Sequence, residues 1–140
     1  MWICLNNGFV SIVEYRSNPY YVIVRARDED SIKNIFGSMV YTEETPSRDY
    51  RYRAILSKEY VSKIIAEKVL DINYPNFKNS VEDNDLHAAY SSMWFTMYKY
   101  QTEKLYGKRP ANYLPPPMSA RLQDVPWTNV EKDKKDESLS

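Results

Sequence analysis

Arginine recurs at two-residue spacing in two places in this 140-residue chain: Arg25 and Arg27 in Val24-Arg25-Ala26-Arg27, and Arg51 and Arg53 in Tyr50-Arg51-Tyr52-Arg53. Residues two apart in a strand point to the same side. If the two runs are neighbouring strands, the four guanidiniums line one sheet face, opposite Val22, Val24, Tyr52 and Leu56. Such a face takes phosphates bidentately and binds nucleic acid with a steep salt dependence. Arginines on the solvated side of a half-buried sheet also serve simply to keep it soluble, paired with acids such as Glu14. Base stacking needs aromatics on the arginine face. Tyr21 is in phase with the arginines, whereas Tyr50 and Tyr52 fall on the other side.

Asp83, His87 and Ser91 follow at i, i+4 and i+8, which on a helix puts an acid, an imidazole and a hydroxyl along one edge. That order invites a hydrolytic triad. A triad also needs an oriented base and an oxyanion site, and the chain has no G-x-S-x-G elbow. Asp83 is better read as a first-turn acid on the helix dipole, and His87 as a partly exposed structural residue. No metal is expected, because one histidine and one cysteine far apart make no zinc spacing. Asp28, Glu29 and Asp30 lack the glycine and terminal glutamate of a calcium loop and are better read as helix caps. The three glycines, Gly8, Gly37 and Gly107, are isolated, so there is no phosphate-cradling loop and no cofactor is expected.

Contact surfaces are the remaining candidates. Tyr74-Pro75-Asn76-Phe77-Lys78 places two aromatics in a loop between helices, either as a binding surface or with Phe77 as a staple at the entry of the next helix. Trp94 falls beside a helix stripe, as boundary core or as an exposed anchor of the kind favoured at hot spots. Tyr113-Leu114-Pro115-Pro116-Pro117, with Arg121 and Trp127, has the elements of a linear motif but no P-x-x-P spacing.

The elements that must position these residues are legible from periodicity and turn chemistry. Asn7-Gly8 is the preferred pair for a type I′ hairpin turn. A turn there pairs Leu5 with Val10 and Ile3 with Ile12, four apolar residues on one face. Tyr20 to Arg27 alternates as a third strand. A short helix capped by Asp28 or Asp30 buries Ile32, Ile35 and Phe36 and stops at Gly37. An irregular stretch, 38–48, leads to a fourth strand, Tyr50 to Leu56. Ser57 caps a helix with Val61, Ile64, Ile65, Val69 and Ile72 on one side. A third helix runs from Asp83 or Asp85 to about Leu105, with the stripe Leu86, Ala89, Tyr90, Met93, Met97 and Tyr100, and Gly107 as its stop. The expected fold class is α+β: an antiparallel sheet of about four strands led by an N-terminal β-hairpin, with two to three helices packed on one face.

Composition sets the frame. The chain carries 19 basic and 19 acidic residues and 43% hydrophobic residues, enough for one packed core and no bulk polycation. Five of the eight prolines follow Lys108, and the end is almost wholly polar. Residues 1–107 therefore read as a single α+β domain, and 108–140 as a disordered Pro-rich and charged tail. The one cysteine, Cys4, closes no internal disulfide and fits a reducing, cytoplasmic compartment. No apolar run reaches membrane-helix length, so no membrane is expected as a partner.

Several stretches occur together: Met1-Trp2-Ile3-Cys4-Leu5-Asn6, Val24-Arg25-Ala26-Arg27, Asp49-Tyr50-Arg51-Tyr52-Arg53-Ala54, and Asn73-Tyr74-Pro75-Asn76-Phe77-Lys78-Asn79-Ser80-Val81 with His87 and Trp94. Over about the first hundred residues this pattern resembles a family of short uncharacterised proteins of bacteria and their phages. The resemblance implies a phage or mobile-element context, hence the host cytoplasm, and brings no assigned activity. The expected function is a non-enzymatic protein-binding accessory factor, phage-encoded and acting on a host or defence component. The alternative is a nucleic-acid-binding module using the arginine face, and a small hydrolase is the distant third.

Overall fold

The computed structural model describes residues 1–108. Five strands, β1 (Trp2–Leu5), β2 (Gly8–Glu14), β3 (Tyr21–Ala26), β4 (Glu43–Glu44) and β5 (Tyr52–Ser57), form one antiparallel sheet in the order β1-β2-β3-β5-β4. Three helices accompany it: α1 (Asp30–Phe36) between β3 and β4, then α2 (Lys58–Leu70) and α3 (Asn84–Tyr106) after β5. The fold is α+β, led by an N-terminal hairpin. The strand beyond the expected four is the two-residue β4, which lies inside the stretch read as irregular and pairs with Tyr52 and Arg53.

The hairpin corrects the expected turn. Leu5 pairs with Gly8 and Ile3 with Val10, so Asn6-Asn7 forms the two-residue loop and the register is shifted by two from that expected. Among the described residues only Gly37 and Gly107 have positive φ, so the turn is not of type I′, which needs positive φ at both central positions. The apolar face survives because side chains alternate with period two, and a slip of two returns each to its own side. Tertiary contacts settle the register. A Cβ on Gly8 would lie 2.9 Å from Ser31 Oγ and 3.0 Å from Ser31 Cα, so Gly8 admits α1 rather than making a turn. Ser31 Oγ accepts from the Phe9 amide at 3.2 Å. Asn7 Nδ2 donates to Asn34 O, and Asn34 Nδ2 donates to Asn7 O.

The core lies on the sheet face carrying Val10, Ile12, Val22, Val24, Ala26 and Ala54, against Ile32, Ile35 and Phe36 of α1 and Val61 of α2. Asp28 caps α1, its carboxylate accepting from the amides of Asp30 and Ser31 and from Ser31 Oγ. Ser57 caps α2 by accepting from the Tyr60 amide at 3.1 Å. The α2 stripe is shorter than expected. Val61, Ile64 and Ile65 reach the core cluster, whereas Val69 and Ile72 are exposed. Along α3, Tyr90 is buried, Leu86 and Met93 are half-buried, and Ala89 and Met97 are exposed.

The chain divides into a compact unit of residues 1–99 and a second beginning at Tyr100. Within the second, the Lys104 ammonium lies over the Tyr100 ring, and α3 ends at Gly107, whose φ is +82°. Apart from Lys108, the expected tail, including Pro115-Pro116-Pro117, Arg121 and Trp127, lies outside the described residues.

Candidate functional site

The sheet face opposite the core is built by the register. Trp2 pairs with Ser11, Ser11 with Arg25, and Arg25 with Arg53, one row across four strands. The next row runs through Val13, Ile23 and Ile55, and the Trp2 and Phe9 rings meet edge to face at 6.0 Å. No residue of this face belongs to the core cluster. Trp2 is 67% exposed, Ile55 52% and Tyr21 39%. The face is therefore mixed: aromatic and aliphatic groups at the surface around two arginines.

Of the four predicted arginines, Arg25 and Arg53 are brought together in register. Arg27 follows the end of β3 and Arg51 precedes β5, so strand alternation governs neither. Tyr50 also precedes β5. It does not share the core face with Tyr52, as alternation implies, but is buried beneath the Arg25 and Arg27 guanidiniums, 4.5 and 4.3 Å from its ring centre.

Each arginine already has partners. Arg25 Nη2 donates to Ser11 Oγ at 2.8 Å, and Arg27 Nη1 to the Asp49 carbonyl at 3.0 Å. Arg51 Nε pairs with Glu44 at 2.7 Å, which raises its pKa. Arg53 donates to Thr45 Oγ1 and lies 3.6 Å from Asp49, with only 15% of its side chain exposed. Burial, then Arg48 and Arg25, lower the Arg53 pKa. Arg25 Nε is buried without a partner among the described residues. Like charges directly opposed across strands repel, and these contacts offset that repulsion.

At the hairpin end lies a cleft of about 970 Å³. Trp2, Phe9, Tyr50 and Met93 supply apolar wall, and Asp28, Asp30, Glu82, Asp83 and Asp85 supply carboxylates. Tyr90 of α3 closes its floor, the hydroxyl donating to Leu5 O at 2.9 Å and Gly8 O at 2.8 Å. Burial, then the nearby Cys4, push the Tyr90 hydroxyl pKa well above its ordinary value. Phe77 packs against Tyr90 with ring centres 5.1 Å apart and planes tilted by 43°, and Tyr74 lies 6.1 Å from Phe77. Trp94 stacks on Tyr98 and carries the Lys78 ammonium 4.2 Å from its ring centre. Tyr74 and Phe77 thus belong to one aromatic group with Tyr90, and Trp94 to a separate pair with Tyr98.

Asp83, His87 and Ser91 do not assemble. The Asp83 carboxylate accepts from the Leu86 amide at 2.7 Å as the cap of α3, and its main-chain carbonyl accepts from the His87 amide. No hydrogen bond joins the three side chains among the described residues. The described residues hold no cluster of metal-ligating side chains, and none of their helices is long and apolar enough to cross a membrane.

The residues that sequence reasoning missed are Trp2 and Phe9. Their phase relative to Arg25 depends on which residues of β2 and β3 stand opposite, which alternation within one strand does not reveal. No family model, curated protein or solved structure matches the chain.

Proposed function

We propose that this protein is a non-enzymatic binding module that takes a protein partner on the open face of its sheet. The observation carrying this reading is the exposure of Trp2, Tyr21 and Ile55 in a continuous sheet face outside the core. Exposed aromatic and aliphatic groups around a few arginines match the make-up of protein-contact surfaces. Because Arg51 and Arg53 are already ion-paired, only Arg25 and Arg27 of the four arginines keep a charge without an acidic partner for phosphates. In keeping with the resemblance to short bacterial and phage proteins, the partner is sought among host or defence components.

The test uses the full chain as bait in bacterial host lysate, beside Ile55→Glu. The wild type should retain a discrete partner in stoichiometric yield that Ile55→Glu loses. Equal retention by both baits would remove the face from the contact.

Nucleic acid is the second reading, favoured by one observation: Trp2 and Phe9 lie in phase with Arg25 and Arg53, as base-stacking aromatics must. It predicts retention on single-stranded oligonucleotides that collapses between low and physiological salt and is abolished by Arg51→Glu with Arg53→Glu. No retention at low salt would end it.

A further inference from the structure

The two edges of the sheet differ in kind. One is β4, two residues long and both glutamate, the short charged edge that discourages further pairing. The other is β1, Trp2-Ile3-Cys4-Leu5, without charge or proline. Met1 and Ile12 exchange two backbone hydrogen bonds, amine to Ile12 O and Ile12 amide to Met1 O, each 2.8 Å. Bonded pairs alternate along an antiparallel ladder, so Ile3–Val10 and Leu5–Gly8 are bonded likewise. The N–H and C=O groups of Trp2 and Cys4 therefore turn outward, and no loop or side chain among the described residues bonds to them.

Beside this edge stands the cleft, whose walls include Trp2, Asn6 and Asn7 together with Asp28, Asp30, Glu82, Asp83 and Asp85. Arg27 also lines the cleft, and Asp28 and Asp83 are engaged as helix caps, but none of the five carboxylates is in an ion pair among the described residues, which leaves Asp30, Glu82 and Asp85 to meet a cation. A strand added to β1 places alternate side chains on the Trp2 face. A lysine or arginine there meets an exposed indole ring, which attracts cations, and carboxylates beyond it.

We infer that β1 is a docking edge for an extended, basic segment of a partner protein, which adds to the sheet as a sixth strand and directs its cationic side chains over Trp2 toward the acidic cleft. The inference rests on the protein-binding reading above and specifies the chemistry of the partner. Main-chain bonds supply affinity in such strand addition, and alternate side chains supply selectivity. A second copy of this chain would meet β1 with the same uncharged edge and bring no cation to the carboxylates, so the basic segment fits better.

The probe is a synthetic octapeptide alternating lysine and valine, compared with glutamate–valine and threonine–valine versions, with binding followed by anisotropy and by amide chemical shifts. The lysine peptide should shift the Trp2 and Cys4 amides and bind about tenfold or more tightly than the glutamate peptide. Cys4→Pro removes an N–H that serves no internal bond, so it should weaken the lysine peptide about tenfold while the fold is retained. Methylating alternate amides of the peptide should do the same without altering the protein. Glu82→Gln with Asp85→Asn should weaken the lysine peptide about three- to tenfold and leave the threonine peptide unchanged.

Equal binding of the lysine and glutamate peptides, shifts confined to residues away from β1, or no binding at millimolar peptide would overturn the proposal. So would a self-association of the free protein that Cys4→Pro abolishes, since the edge would then belong to a second copy. A cellular partner lost with Ile55→Glu but kept with Cys4→Pro would leave the open face standing and sink the edge.

Discussion

Tyr90 shows how much one side chain carries here. Its hydroxyl donates to two carbonyls at the ends of the hairpin, Leu5 O and Gly8 O, from a helix more than eighty residues away in sequence. Tyr90→Phe keeps the ring against Phe77 and removes the donor, so it should cost about 2 kcal/mol in a urea titration at neutral pH. The same group sets an alkaline limit. Its pKa is raised above the ordinary value of 10, so the native state holds the proton longer than the unfolded chain. The stabilisation is fully present below about pH 10 and is lost as pH climbs above it. Cys4, raised by burial from 9.0, acts in the same direction. The difference between wild type and Tyr90→Phe isolates the tyrosine: the two stability curves should converge above pH 10, and parallel curves would refute the assignment. Gly8 is the steric counterpart. Gly8→Ala pushes a Cβ onto Ser31 Oγ and Ser31 Cα and should cost about 2 kcal/mol. Adding Ser31→Ala should recover only part of it, because the Cα remains in place.

At the scale of elements, α2 is held by its first half. Ser57 caps it and Val61 reaches the core cluster, with Ile64 and Ile65 packed alongside. Val61→Ala should destabilise by about 2 kcal/mol, and Val69→Ala, at an exposed position, by no more than about 0.5 kcal/mol. Equal effects in thermal melts would mean that the whole apolar stripe is buried. The stripe from Val61 to Ile72 is periodic throughout, yet periodicity reports only which residues share a side. How far the helix runs along the core depends on the length of the surface it meets. The hairpin teaches a related lesson. Asn7-Gly8 has the chemistry of a type I′ turn, and Ser31, Asn34 and Tyr90 outweigh that local preference by bonding to the loop and to β2 in another register.

At the scale of the whole molecule, the distribution of apolar surface is the property that bears on function. Ile55→Glu replaces an exposed apolar group directly opposite Ile23 across the β3–β5 pair. It should lower binding of a hydrophobic dye such as ANS while the melting temperature falls by only a few degrees, about 1 kcal/mol or less. An unchanged dye signal would place the sticky surface elsewhere. The charge balance has a matching consequence: with 19 basic and 19 acidic residues, association with a partner should depend on salt through local groups such as Glu82 and Asp85 rather than through net charge.

Local chemistry by itself determined the α+β class, the strand over Tyr21–Ala26, the cap at Ser57 and the glycine stops at Gly37 and Gly107, and it narrowed the starts of the other two helices to Asp28 or Asp30 and Asp83 or Asp85. Each depends on a few consecutive residues: side-chain alternation, an oxygen three residues before an amide, a glycine free to take positive φ. Tertiary structure alone decided the hairpin register, the place of Tyr50 beneath two guanidiniums, and the alignment of Trp2 and Phe9 with Arg25 and Arg53. These depend on which residues stand opposite one another across strands and helices. For the hairpin register that choice is made by Ser31 packed against Gly8 and by Tyr90 bonded to Leu5 O and Gly8 O, which no local pattern in the hairpin encodes.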